Sequence, residues 1–237
     1  TGTQYTPDGS PNLSDLTFLP KAGFTGSVQI GYEGTDSRGK TFRGQIRIQV
    51  NQGSGSRYFQ DMGSYAWAAP YVDLLYEAGV ITGTGGQRYR PADAVSRGDF
   101  MLMLYRAFQL TPASGAGFPD VPPGSYYAQA IQAARAAGIA SGYPDGGFHP
   151  QEPVTRQDAM VLLERTMQAT GWSLGAANTG YLSGFRDGGM VAPYAQEAMS
   201  HMIEYGIITG TPEQKLNPIQ SISRAEMAVM LARAITF

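Results

Sequence analysis

Ala78-Gly79-Val80-Ile81-Thr82-Gly83 decides the fold, because its register recurs twice more along the 237 residues. Gly79 is answered by Gly138 and Gly206, and Gly83, four residues on, by Gly142 and Gly210. Fourteen residues beyond each second glycine stands an arginine: Arg97, Arg156, Arg224. Twelve positions before each first glycine stands an aromatic residue (Trp67, Tyr126, Tyr194), preceded by Phe59-Gln60-Asp61, Phe118-Pro119-Asp120 or Phe185-Arg186-Asp187. An internal period of this kind takes precedence over any local reading. The copies are assigned to residues 58–110, 118–170 and 185–237, with linkers at 52–57 and 171–184.

Each copy reads as helix, loop, helix. Val72 and Leu75, Ile131 and Ala134, and Met199 and Met202 form the apolar stripe of a first helix. The first glycine then ends that helix, and Val80, Ile139 or Ile207 packs back on its last turn. Tyr89-Arg90-Pro91, Phe148-His149-Pro150 and Leu216-Asn217-Pro218 each set an apolar anchor before a proline that forbids further helix. Ser96, Thr155 and Ser223, with Asp99, Asp158 and Glu226 three residues later, are capping-box starts of a second helix. Its buried face is Phe100, Met101, Leu104 and Phe108 in copy one, then Ala159, Met160, Leu163 and Met167, then Met227, Ala228, Leu231 and Ile235. Two short helices cannot bury such faces alone, so the copies are expected to form one cooperative unit.

Composition narrows the function. Net charge is −2 and charged residues make up 15% of the chain, so no global field draws it to nucleic acid or an anionic membrane. An anionic partner must be held by local cations. There is no cysteine, which excludes thiol chemistry and disulfides and fits an exported protein. No apolar run reaches bilayer length, so membrane insertion is not expected. Thr1 opens a polar stretch without an initiator Met or signal peptide, as in a fragment or mature product. Of the two histidines, His149 occupies a variable loop position and His201 aligns with Leu74 and Ala133 on the first helix, as a packed imidazole would. No metal-ligand spacing, phosphate loop, nucleophile–base set or carboxylate pair appears. No enzyme activity, cofactor or metal is expected.

The A-G-x-x-x-G helix end, with the F-x-D starts, the loop prolines and Ser223-Arg224-Ala225-Glu226, resembles the S-layer homology (SLH) family. The resemblance covers residues 58–237, about three quarters of the chain. It implies a mainly α fold: a pseudo-trimer of three repeats with a central helical bundle and three grooves between prongs. It also implies an extracellular place on the bacterial cell surface. There an exported protein is anchored non-covalently by a secondary cell-wall polysaccharide, an anionic glycan of the pyruvylated N-acetylmannosamine type. The copies depart from one another beside the arginine, with Gly98-Asp99, Gln157-Asp158 and Ala225-Glu226. Three unequal grooves are therefore expected. Gly98 in a first helical turn costs up to about 1 kcal/mol against alanine.

Arg97, Arg156 and Arg224 take the first helical position, where a cation opposes the helix dipole by about 0.3–1 kcal/mol. Helix stability does not explain them. With the free amides of the same turn, each makes a compact anion site suited to a carboxylate, which the resemblance supplies as a pyruvate ketal. The alternative is an internal pair with Asp61, Asp120 or Asp187. Gly83, Gly142 and Gly210 permit close approach of a sugar, or merely a turn. Trp67, Tyr126 and Tyr194 are sugar-stacking candidates, or core. The three aspartates accept from sugar hydroxyls, or cap a turn.

The first fifty residues have another grammar. Val28, Ile30 and Tyr32, and Phe42, Gly44, Ile46, Ile48 and Val50, alternate as in half-buried strands. Asp36-Ser37-Arg38-Gly39 reads as a hairpin turn, Leu16-Thr17-Phe18-Leu19-Pro20 as a further short strand, and Gln52-Gly53-Ser54-Gly55-Ser56 as a flexible linker. The stretch 1–51 resembles the tail of a cadherin-like or immunoglobulin-like β domain whose remainder lies upstream. Two further roles compete with anchoring. One is a structural S-layer module that self-associates laterally; the other is the anchor of an enzyme whose catalytic domain lies upstream.

Overall fold

A glycine at the end of each first helix adopts the left-handed conformation that a side chain resists, and the helix stops there. In the computed structural model, which describes residues 26–35, 39–50, 55–115 and 117–236, Gly79, Gly138 and Gly206 have φ of 70°, 72° and 68°. The next residue turns its amide back: Val80 N donates to Leu75 O at 2.9 Å and Ile139 N to Ala134 O at 2.8 Å. The chain is mainly α with a small two-stranded sheet. It divides into two compact units, Thr1–Ser54 and Gly55–Phe237.

The larger unit carries the three copies as α1 (Ala69–Glu77) and α2 (Arg97–Ala107), α3 (Ala128–Ala136) and α4 (Arg156–Ala169), and α5 (Gln196–Glu204) and α6 (Arg224–Ile235). All six stripe residues of the first helices are fully buried. The main helix contacts run between copies: α1 packs on α6, α3 on α2 and α5 on α4. A first helix therefore covers the second helix of a different copy. Where α5 meets α4, His201 Nδ1 lies 2.5 Å from Glu164 Oε1, a part-buried polar pair; the sister first helices carry Leu74 and Ala133 at the position of His201.

Just ahead of each second helix, the three copies share a closed circuit of backbone hydrogen bonds. Val95 N donates to Ile222 O at 3.0 Å, Ile222 N to Val154 O at 3.1 Å, and Val154 N to Val95 O at 2.9 Å. The three residues are buried. Ser96, Thr155 and Ser223 each accept from the amide of the third helical residue, a cap worth about 1 kcal/mol. Only Ser223 and Glu226 complete the reciprocal box, because an aspartate is one methylene too short to return to the cap amide.

The described residues of the two stretches assigned as linkers, 55–57 and 171–184, make contacts with the repeats or with one another. Ser56 Oγ accepts from the amides of Tyr58 and Phe59 and donates to the buried Asp73, so residues 55–57 are tied to α1. The stretch 171–184 contains a 3-10 turn, Thr179–Gly184, and buries Leu174 and Leu182.

In the smaller unit, β1 (Gly26–Thr35) and β2 (Thr41–Val50) pair antiparallel, with Val28 opposite Ile48, Ile30 opposite Ile46 and Tyr32 opposite Gly44. The expected alternation is therefore in register on one face. The Tyr32 ring lies over Gly44, where a Cβ would come within 2.2 Å of it. Ile30 and Tyr32 are exposed. The strand expected at 16–20, the turn residues 36–38 and the linker residues 52–54 lie outside the described residues.

Candidate functional site at the helix starts

Each site begins with a clasp inside one copy. Asp61 accepts from the amides of Tyr89 (2.9 Å) and Arg90 (2.8 Å). Asp120 accepts from Phe148 (2.9 Å) and His149 (2.7 Å), and Asp187 from Leu216 (2.7 Å) and Asn217 (2.8 Å). Burial alone would raise the carboxyls of Asp61 and Asp120, but the amide hydrogen bonds outweigh it and hold both below the usual carboxylate range. The clasp holds Arg90, His149 and Asn217 at φ of 58°, 59° and 52°. A side chain resists that conformation by about 1–2 kcal/mol, and three recurrences mark it as built in. The aspartates thus hold the loop ahead of each proline, 28–30 residues away.

That loop receives the second helix of another copy. The amides of Arg97 and Gly98 donate to Glu152 O and Pro150 O, those of Arg156 and Gln157 to Gln220 O and Pro218 O, and those of Arg224 and Ala225 to Asp93 O and Pro91 O. The third amide of each helix goes to the cap hydroxyl. The free amides expected beside each arginine are therefore already satisfied by protein. Among the described residues, no ion pair joins Arg97, Arg156 or Arg224 to Asp61, Asp120 or Asp187, whose carboxylates accept from the loop amides instead.

The arginines themselves lie across the same loops. Arg97 Nε donates to Phe148 O at 3.1 Å, with its guanidinium 4.7 Å from the Tyr143 ring centre and 4.9 Å from that of Phe148. Arg224 Nε donates to Tyr89 O at 2.7 Å and its NH2 group to Thr82 O at 3.1 Å, over the Tyr89 ring at 4.5 Å. Contacts of this kind combine cation–π attraction with directional hydrogen bonds. Arg156 differs: its NH1 donates to Glu226 Oε1 at 3.2 Å, and its buried Nε has no partner. Burial pulls its pKa down against the pull of Glu226.

Trp67, Tyr126 and Tyr194 are not core residues. They are 39%, 67% and 60% exposed, and Tyr126 and Tyr194 lie at the rims of these junctions. Tyr126 donates its hydroxyl to Asp99 at 2.7 Å and Tyr194 to Asp158 at 2.7 Å. Burial of the hydroxyl, then the carboxylate beside it, push each phenol up to about 12. Tryptophan has no hydroxyl, so the corresponding acid of copy three, Glu226, is left to the cap and Arg156. Gly98 has a local reason: a Cβ there would lie 3.0 Å from both Tyr127 Cδ1 and Pro150 O. The sister positions of Tyr127 are Ala68 and Ala195. The small residue thus answers the large one.

Gly83, Gly142 and Gly210 lie under the Phe59, Phe118 and Phe185 rings, at 2.6, 2.6 and 2.5 Å from a notional Cβ. Their missing side chains are filled by the aromatic starts of their own copies.

Copy two holds a polar cluster that the spacing of residues did not disclose. His149 Nε2 lies 2.7 Å from Asp145 Oδ2 and Nδ1 lies 2.9 Å from Glu152 Oε1, while the ring sits 4.6 Å from that of Tyr143. Only the imidazolium donates to both carboxylates, and the Asp145 hydrogen bond raises its pKa above the ordinary value. A raised pKa stabilises the folded chain below the ordinary value of 6.5, and that contribution is lost as pH rises through the folded value. The melting temperature should therefore exceed that of H149N at pH 5.5, and the gap should close by about pH 9. Melting curves at the two pH values test this.

These are the features of a repeat module that closes on itself through helix starts seated on neighbouring loops. Sequence comparison then places it: a family model of the S-layer homology domain matches residues 58–101, 117–160 and 184–228. The chain belongs to the S-layer homology domain family. It is 29% identical over 180 residues to the surface-layer 125 kDa protein of Lysinibacillus sphaericus, covering 75% of this chain and 14% of that one. To an endoglucanase of Bacillus sp. (strain KSM-635) it is 28% identical over 174 residues, covering 73% and 18%. An S-layer protein of Bacillus thuringiensis subsp. finitimus is 24% identical over 182 residues, covering 76% and 21%. The chain thus spans about a fifth or less of the length of these relatives. It is a cell-surface, wall-associated extracellular module, and its general role is anchoring there. Among the described residues, no group of three His, Asp or Glu side chains is placed to hold a metal, and no helix is long and apolar enough to cross a membrane.

Proposed function

We propose that this module holds an exported protein on the cell envelope by binding an anionic secondary cell-wall polysaccharide of the pyruvylated N-acetylmannosamine type. The observation that carries this reading is the recurrence of an arginine at the first position of each second helix. Each arginine is docked beside a neighbouring copy's loop, where the helix itself gains nothing from a cation. On this reading the copies form a pseudo-trimer with a central helical bundle, and each junction is a groove. Arg97, Arg156 and Arg224 face the carboxylate, and Trp67, Tyr126 and Tyr194 offer rings to the sugar at the rim. Gly83, Gly142 and Gly210, like Asp61, Asp120 and Asp187, shape the loops that the ligand meets. β1 and β2 are the tail of an immunoglobulin-like or cadherin-like domain, a reading supported by their in-register alternation.

The chain should sediment with purified wall sacculi and stay in solution once hydrofluoric acid has stripped the secondary polymer from them. Retention on stripped walls equal to that on intact ones would reject a polysaccharide ligand.

A further inference from the structure

The three arginines are chemically unequal, and the cause lies in copy three. Arg97 and Arg224 each give Nε to a loop carbonyl, and neither has a carboxylate within salt-bridge distance among the described residues. Arg156 has lost the carbonyl contact. Its Nε is buried and unpartnered, and its NH1 is held by Glu226 Oε1. The other oxygen of Glu226 accepts from the Ser223 amide at 2.9 Å and the Ser223 hydroxyl at 2.7 Å. The cap thereby anchors the carboxylate that reaches Arg156. In the sister copies the same position holds Asp99 and Asp158. These are shorter and engaged by their own cap hydroxyls and by the Tyr126 and Tyr194 hydroxyls. Copy one supplies Trp67 where a tyrosine would otherwise engage Glu226.

We infer that Glu226 is an internal competitor for the anion at Arg156, so that this chain binds its anionic glycan at Arg97 and Arg224 and not at Arg156. The inference rests on the function proposed above and specifies which of its sites work. An incoming carboxylate at Arg156 must displace one that is already there, whereas Arg224, and Arg97 although it is buried, have no opposite charge in contact among the described residues. One internal carboxylate at this distance is expected to weaken the third site by about tenfold or more.

The test follows the arginine Nε–H signals of the full chain by 15N–1H NMR during titration with a pyruvylated N-acetylmannosamine glycoside. The same sugar without its ketal serves as control. The Arg97 and Arg224 signals should move together and the Arg156 signal should stay. In E226Q, and in E226D, which copies the residue of the sister copies, the Arg156 signal should move as well. Calorimetric stoichiometry should rise from about two to about three per chain. Movement of Arg156 alongside the others in the unaltered chain overturns the inference, and so does an Arg156 that stays silent in both variants. If no arginine moves in any of the three proteins, the anion reading of the grooves fails and takes this inference with it.

Discussion

Changing Arg97 and Arg224 together to glutamine is expected to reduce retention on wall sacculi by more than about a hundredfold, while R156Q leaves it within a few-fold of the unaltered chain. A hydrogen bond to a charged group contributes about 1.5–3 kcal/mol, so two lost sites amount to a factor of a hundred or more. The expected asymmetry comes from the carboxylate that already meets Arg156. Co-sedimentation over a range of wall concentrations measures the loss. Far-ultraviolet circular dichroism must show the helices unchanged, because Arg97 also holds the Phe148 carbonyl. Equal losses for the double variant and for R156Q would contradict the assignment.

The largest effect on stability is expected from G142A. A Cβ on this residue would lie 2.6 Å from Phe118 Cε1 and 2.9 Å from the Gly147 carbonyl oxygen, at a φ of +79°. Phe118 is buried, and Gly147 belongs to the loop held by Asp120, so neither neighbour yields easily. Overpacking of this kind costs about 1–3 kcal/mol and the left-handed conformation about 1–2 more, giving about 2–5 kcal/mol in all. Urea unfolding followed by circular dichroism measures the change. The loop of copy two is the seat for Arg97, so wall retention should fall with stability. A variant as stable as the parent would mean that the ring and loop have room to shift.

Much of this architecture is legible in the residues themselves. The glycine that stops each first helix, the cap hydroxyls and the apolar stripes are local features, set by neighbours within a turn of helix. Their threefold recurrence needs no structure to be seen. The partners of those stripes are less legible. Periodicity shows which face of α1 is apolar, but not that it meets α6 rather than the nearby α2. The same gap explains the amides at the helix starts. They look free in the sequence because their acceptors, such as Pro150 O and Pro91 O, belong to other copies.

At the site, the arginines stand out because they oppose the helix dipole, whereas the inequality among them rests on substitutions that look conservative. Glu226 in place of aspartate adds one methylene, and that methylene is the reach needed to meet Arg156. Tyr143 stands where Thr84 and Thr211 stand in the other copies, a sequence difference that could have drawn notice to its ring beside Arg97. The exposed rims of Tyr126 and Tyr194 were hidden by the usual preference of aromatic rings for interiors. Their hydroxyls find carboxylates at the surface instead.

The circuit through Val95, Ile222 and Val154 also bears on how such a module is inherited. In an open array of repeats, one more or one fewer copy alters only the length. Here each of the three donors is answered by a different copy, and the last copy returns to the first. A duplication or deletion of a single copy would strand one amide and one carbonyl at the junction and bare a helix face on either side. The three copies are therefore expected to be kept or lost together, as an intact triplet.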